Sequence, residues 1–283
     1  MTTGALIWRL VAELPAVLGG VALAAVAAGL VPLPWVGTAA LLGWFVLAGL
    51  TKTRTGERLL ARVVLDGRQP TPAERAVLAG PLAELSANRM GPPTVDIVVT
   101  ARPGWADGFG RRTVLVSSQL INRLRQRQLT QDEATTLLIS AVGFLRSRAA
   151  GWDAPLLWLA LPCLPIRVLA SGLGQATRGM VLVRFAWRIR ALPIAAGAWH
   201  SATEQDSPGI AVLTVWVGLL SYLAPIAARR AARARQLAGD DFAAHAGQLD
   251  ALRHFLARFP GDGFAIDRMH RLAPAPARLS VVR

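Results

Sequence analysis

The sequence contains very little cysteine, lysine and acidic charge. Cys163 is the single cysteine, so no disulfide can form within the chain. Lys52 is the single lysine among 31 basic residues, and only 17 residues are acidic, which leaves a formal net charge of +14. Such an arginine excess is compatible with nucleic-acid binding, but in an apolar chain it is typical of the cytoplasmic segments of membrane proteins. We therefore predict the lipid bilayer as a partner and no nucleic acid.

Charged residues as a whole are also scarce. They make up 17% of the chain, whereas soluble domains carry about 25%. The hydrophobic fraction is 53% and the mean hydropathy is +0.40, and both values predict a membrane protein. We expect no cleaved signal peptide, because the first apolar region is too long, has no small-residue cleavage site and is followed at once by a second.

Four long apolar runs predict four transmembrane helices. They cover residues 14–31, 35–50, 154–170 and 208–228. The third run contains Pro162 and Pro165, which predict a kink, and Arg167, which must reach the membrane surface or pair with an acidic group. Basic residues follow the second and fourth runs, and the positive-inside rule then places those ends in the cytoplasm.

The segment 178–200 has two interpretations. Apolar residues surround Arg184 and Arg188, which lie one helical turn apart. An amphipathic helix on the membrane surface is the preferred interpretation, and a further span is the alternative. The composition and topology together predict a multi-pass protein of a bacterial inner membrane whose soluble part is cytoplasmic.

The remaining sequence predicts a small body of helices and strands. The β-branched runs 95–100 and 113–118 predict two strands. The loop 101–112 between them is either a simple hairpin connection or a site that holds a peptide by strand addition. Thr130 and Glu133 form a capping box that opens a helix, which we expect to end near Gly151.

Four stretches carry a resemblance to a known family. In chain order they read VDIVVTARPGWADGFGRRTVLVSSQLINRL, LTQDEATTLLISAVGFLRSR, ARARQLAGDDFAA and RFPGDGFAIDRMHRL. With membrane segments between them, they resemble the HtpX-type and CAAX-prenyl-protease-type membrane zinc metallopeptidases. The second stretch is similar to that family's LxxDELxAVLAHELGHIRxRH helix, and the third to its helix with the last metal ligand.

The resemblance implies a mainly α membrane protein. It would have about four transmembrane helices plus a cytosolic zincin-like (gluzincin) α+β body with a small β-sheet. We divide the chain accordingly into an N-terminal transmembrane hairpin, a metallopeptidase-like part, transmembrane or interfacial helices, and a cytosolic C-terminal part. These segments are 1–52, 53–152, 153–228 and 229–283.

The resemblance also places the family's metal site on positions that have all changed. The two His of HExxH fall on Ser140 and Phe144, its Glu on Ala141, and the distal Glu ligand on Gln236, while Asp240 keeps the family's Asp. HExxH works because two His four residues apart hold one Zn²⁺ and the Glu takes the proton of the metal-bound water. Ser and Gln are poor zinc ligands and Phe is none. We therefore expect no catalytic residue, no metal and no other cofactor.

Two alternatives stay open. Asp241 and His245, four residues apart on a predicted helix, could begin a displaced metal site, although a surface pair is the preferred interpretation. The chain would then be an active, divergent membrane metalloendopeptidase. It could also be a membrane protein unrelated to proteases. A true relative should bring Ser140, Phe144 and Gln236 together.

The leading prediction is a catalytically inactive HtpX-like pseudopeptidase. It would act by binding a protein or lipid partner, or as a subunit of a membrane complex, without hydrolysis. A cluster of arginines after the fourth run would contact anionic lipid headgroups or an acidic partner, unless it only sets the topology. The cluster consists of Arg229, Arg230, Arg233 and Arg235.

Overall fold

The computed structural model describes residues 3–87, 95–147, 149–176, 180, 185–186, 189–203, 207–260 and 265–272. These residues form a mostly helical protein with one small sheet. The helices are α1 (Thr3–Gly29), α2 (Pro34–Leu50), α3 (Arg54–Val63), α4 (Pro72–Ala87), α5 (Ser118–Arg125), α6 (Gln131–Leu145), α7 (Asp153–Leu159), α8 (Leu164–Ala176), α9 (Ala191–Thr203), α10 (Pro208–His245), α11 (Leu249–Arg258) and α12 (Ala265–Leu272). The strands are β1 (Gly67–Arg68), β2 (Asp96–Thr100), β3 (Ala106–Phe109) and β4 (Thr113–Ser117).

The chain divides into two compact units, each made of two separate stretches. The apolar unit comprises Thr2–Thr51 and Pro155–Ala231, and the α/β unit comprises Lys52–Ala154 and Ala232–Arg283. Helix α10 contributes to both units, because the boundary after Ala231 falls inside it. A mainly helical chain with a small sheet, as the sequence predicts, is therefore present, while the zincin-like character of the α/β unit stays a prediction.

Two helices in the described part of the chain are long and apolar enough to cross a membrane. They are Gly4–Gly29, within α1, and Pro208–His245, which is α10. Only 6% of the apolar window of the first and 17% of that of the second is buried within the protein, so these side chains can contact lipid. The result indicates a membrane protein. Two further pairs of helices are each bent at a short break, and the number of spans rises to four only if each pair forms a single span. The second and third predicted spans therefore stay predictions.

The third apolar run is broken into short helices. Helix α7 ends at Leu159, a 3₁₀ turn covers Leu161–Cys163, and α8 begins at Leu164. The break falls at Pro162 and Pro165, where the kink is predicted, because proline has no N–H to continue the helical hydrogen bonds.

Arg167 in α8 pairs with an acidic group, as the sequence predicts. Its guanidinium donates a hydrogen bond to Glu13 of α1 at 2.8 Å. Gly19 and Gly20 let α1 come close to the broken run. A Cβ on Gly20, for example, would lie 2.1 Å from the carbonyl oxygen of Leu159. Close backbone approach at small residues is typical of packed membrane helices.

The segment 178–200 is described only in part. Arg184 and Arg188, on which the amphipathic-helix prediction rests, lie outside the described residues. From Ala191 to Thr203 the chain forms α9. Within the apolar unit, Arg190 donates to the Ser221 carbonyl of α10 at 2.9 Å.

The α/β unit contains a mixed sheet of order β1-β2-β4-β3. The two predicted strands are present as β2 and β4, and they run parallel, with Asp96 opposite Thr113 and Thr100 opposite Ser117. The interpretation of 101–112 as a simple hairpin connection is therefore wrong, because a hairpin joins antiparallel strands. This segment instead contains β3, which pairs antiparallel with β4 at the sheet edge.

Helix α6 is the centre of this unit. Its capping box at Thr130 and Glu133 is present as predicted. From Glu133 to Leu145 every residue except Ser140 is buried, since β3, α4 and α11 pack against it. The helix ends at Leu145, earlier than predicted, and the Ser147 hydroxyl then accepts a hydrogen bond from the N–H of Ala150, which stabilises a turn in place of further helix.

Candidate functional site

Helix α6 and the second half of α10 lie side by side at two glycines. A Cβ on Gly239 of α10 would lie 2.2 Å from the Ser140 hydroxyl oxygen and 2.7 Å from its carbonyl oxygen. A Cβ on Gly143 of α6 would lie 2.5 Å from Cβ of Phe242. Only glycine at both positions permits this spacing without displacement. The helix on which the resemblance places HExxH therefore packs directly on the helix that carries Gln236.

Phe144, onto which the resemblance places the second His, is covered by an arginine from α10. The Arg235 guanidinium lies 4.0 Å from the centre of the Phe144 ring. It donates to Asp107 of β3 at 2.8 Å and to Asp153 of α7 at 2.5 Å. Two carboxylates therefore balance the positive charge of Arg235.

The other positions onto which the resemblance places metal-site residues provide little that could hold a metal. Ala141 is 4% exposed and has no polar atom. The Gln236 carbonyl oxygen is buried and has no hydrogen-bond partner among the described residues. Gln236 lies three residues before Gly239, on the same side of α10, so it belongs to the surface that faces Ser140.

The site does not fit a zinc ion. A catalytic zinc needs three protein ligands from His, Cys or carboxylates, and the four positions offer a hydroxyl, a methyl, a phenyl ring and an amide. The guanidinium over Phe144 would also repel a second cation at that distance. Within the residues that the structure describes, no group of three or more His, Cys, Asp and Glu is arranged to hold a metal.

The alternative pair Asp241 and His245 is engaged in other contacts. The Asp241 carboxylate accepts a hydrogen bond from Arg271 at 2.9 Å. Nδ1 of His245 lies 2.6 Å from the backbone carbonyl of Asp241, not from its carboxylate. The two side chains therefore do not converge on a common point.

Asp240, which the resemblance aligns with the family's Asp, forms a buried ion pair. Its side chain is 2% exposed and accepts two hydrogen bonds from Arg268 of α12, at 2.8 Å and 2.6 Å. A bidentate pair of this kind fixes both geometry and charge, so Asp240 holds α12 against α10.

The four arginines of the predicted lipid-contact cluster have different surroundings. Arg229 and Arg230 belong to the apolar unit, where the Arg230 guanidinium lies 4.3 Å from the Trp8 ring centre. Arg233 is exposed and lies 3.4 Å from the exposed Asp267. Arg235 differs from these three because its charge is taken up inside the α/β unit. The structure therefore removes Arg235 from the lipid-facing set.

Sequence reasoning missed Asp107 and Asp153. They lie in separate elements 46 positions apart, and no sequence pattern links the two. The available signal was the scarcity of acid: with 17 acidic residues for 31 basic ones, every carboxylate is a candidate arginine partner.

Comparisons of the chain with protein-family models, with curated proteins and with solved structures found no match.

Proposed function

We propose that this protein is a membrane pseudopeptidase: it keeps the helix arrangement of an HtpX-type metallopeptidase and uses it for binding without hydrolysis. The order of its motifs supports this proposal, and so does the direct packing of the Ser140 helix on the Gln236 helix. The resemblance requires these two stretches, about 100 positions apart, to lie in contact, and they meet at Ser140 and Gly239.

The observation that carries the proposal is the position of Arg235. Its guanidinium covers Phe144 and is held by Asp107 and Asp153. The Arg235 guanidinium is thus held beside a position where the family has a metal ligand. The same side chain joins α10, α6, β3 and α7, so the loss of the metal is compensated by a structural ion pair.

The proposed activity is the binding of a protein or lipid partner, or the assembly of a membrane complex. Strand β3 has one neighbour in the sheet, β4, and is the end of the strand order. An extended peptide could pair with its other edge by strand addition. We place the protein in a bacterial inner membrane, with the α/β unit in the cytoplasm, on the strength of the arginines that follow the apolar runs.

The proposal is tested by measuring zinc content and peptide hydrolysis on the purified full-length chain. We expect zinc at background level and no cleavage of an unfolded protein substrate after incubation with zinc. Near-stoichiometric zinc in the wild type that is lost in the double variant Asp241→Asn, His245→Asn would instead establish the divergent metalloendopeptidase. Cleavage that a metal chelator abolishes would have the same meaning.

A further inference from the structure

A basic cleft lies on the α/β unit, and neither Phe144, Gln236 nor Arg235 lines it. It has a volume of about 270 Å³ and is formed by α3, α4, β2 and their connections. Three arginines, Arg58, Arg62 and Arg75, line it together with Asp96. Its apolar wall consists of Leu78, Leu82, Val95, Ile97 and Val98.

The positive charge of the cleft is only partly neutralised. Arg54 and Arg58 both donate to Asp96, the acidic residue of the lining. The side chains of Arg62 and Arg75 are exposed and have no acidic or hydrogen-bonding partner among the described residues. Two arginines thus share the one aspartate, and the guanidinium groups of Arg62 and Arg75 can bind an anion.

The shape of the cleft favours an anion that carries an apolar group. Guanidinium groups bind phosphoryl oxygens in paired hydrogen bonds, which a free phosphate would satisfy without any apolar wall. The aliphatic wall on α4 and β2 would remain unused by such an ion. A phospholipid uses both surfaces, because its glycerol and acyl carbons can cover the aliphatic side chains.

Helix α3 has the character of a membrane-surface helix. Leu59 and Val63 are four residues apart and are 58% and 74% exposed, and Arg62 lies between them. Exposed aliphatic residues beside arginines are typical of helices that lie in the interfacial region. Helix α2, a predicted span, ends at Leu50, and helix α3 begins four residues later. Four residues extend at most about 14 Å.

We propose that this cleft binds the phosphoryl headgroup of an anionic membrane phospholipid, with Arg62 and Arg75 as its principal contacts. Arg58 would contribute while it remains paired with Asp96. The inference does not depend on the pseudopeptidase proposal, because it concerns a different surface and a different measurement.

Native mass spectrometry of the full-length chain in a mild detergent tests the proposal. The protein is titrated with dioctanoyl-phosphatidylglycerol and, separately, with dioctanoyl-phosphatidylcholine. We expect the anionic lipid to bind with an affinity about tenfold higher than the zwitterionic lipid. The double variant Arg62→Gln, Arg75→Gln should lose this preference. It should also fold, since both side chains are exposed and unpaired among the described residues.

A control variant separates the site from general charge. Arg125→Gln, Arg127→Gln removes the same charge from an exposed surface outside the cleft and should keep the preference. Equal loss in both variants, or no loss in the cleft variant, would overturn the proposal. Inorganic phosphate should displace the lipid only at much higher concentration; displacement at matched concentration would mean a soluble-anion site and would also overturn it.

Discussion

At the scale of single residues, Arg235 explains why two distant carboxylates can be accommodated in the α/β unit. The Asp153 side chain is 2% exposed, and a buried carboxylate without a cation is strongly unfavourable. Arg235 supplies that cation and at the same time covers Phe144. The Arg235 side chain of α10 therefore forms ion pairs with one carboxylate on β3 and one on α7.

Replacing Arg235 should be costly. We expect Arg235→Ala to destabilise the protein by roughly 3–5 kcal/mol, because it removes a guanidinium that pairs with the buried Asp153 carboxylate. Arg233→Ala, which removes an exposed pair on the same helix, should change stability by less than about 1 kcal/mol. Intrinsic tryptophan fluorescence during thermal unfolding in detergent measures both. Similar unfolding temperatures for the two variants would contradict the structural role of Arg235.

Asp96 should make the α/β unit sensitive to acid. Hydrogen bonds from Arg54 and then Arg58 outweigh burial and lower its pKa to about 2. A carboxyl whose pKa is lowered on folding stabilises the protein above its unfolded pKa, which is about 3.9, and this stabilisation is lost as the pH falls towards 2. Asp96→Asn should flatten this part of the curve of unfolding temperature against pH. The exposed Asp250→Asn should leave that curve unchanged, and a variant at Asp96 that leaves it unchanged would refute the assignment.

At the scale of secondary-structure elements, the contact between α6 and α10 depends on small residues. Gly239 leaves no room for a side chain against Ser140. Helices that meet at glycine approach more closely than side chains would allow, so the positions of Ser140 and Gln236 follow from Gly239 and Gly143.

Gly239→Ala should weaken this contact. The added methyl would overlap Ser140, and we expect a loss of about 1–3 kcal/mol from overpacking. Gly209→Ala is a matched control on the same helix, because a Cβ there meets nothing within 4 Å; it should be neutral or slightly stabilising. The unfolding temperatures of the two variants measure this difference. If Gly239→Ala unfolds at the same temperature as Gly209→Ala, the two helices are not held at this spacing.

Elements with a strong local pattern were predictable from the sequence. The capping box at Thr130, the β-branched strands β2 and β4, and the break at Pro162 each follow from a few neighbouring residues. Strand β3 did not, because its sequence ADGF has low strand propensity and is held by pairing with β4. The partners of Arg235 were not predictable either, because Asp107 and Asp153 come from separate elements and no local pattern connects them.

At the scale of the whole molecule, the two units differ in composition: one has exposed apolar helices and the other has buried ion pairs. The apolar unit contains all of α1 and the part of α10 up to Ala231, whose side chains are largely exposed. The α/β unit contains the buried ion pairs of Asp240, Asp153 and Asp96. The net charge of +14 is suited to contact with an anionic membrane surface, which agrees with both the proposed location and the proposed lipid cleft.

We propose that a metallopeptidase-like site is preserved in shape and that the Arg235 guanidinium lies beside the positions that would hold its metal. This proposal is tested by restoring the ligands with Ser140→His, Ala141→Glu, Phe144→His and Gln236→Glu in one chain, with and without Arg235→Ala, and measuring zinc on the monodisperse protein. We predict close to one zinc per chain when Arg235 is also replaced, and far less when it is retained. Absence of zinc from both folded variants would show that the four positions do not converge, and equal zinc in both would show that Arg235 does not occupy the site.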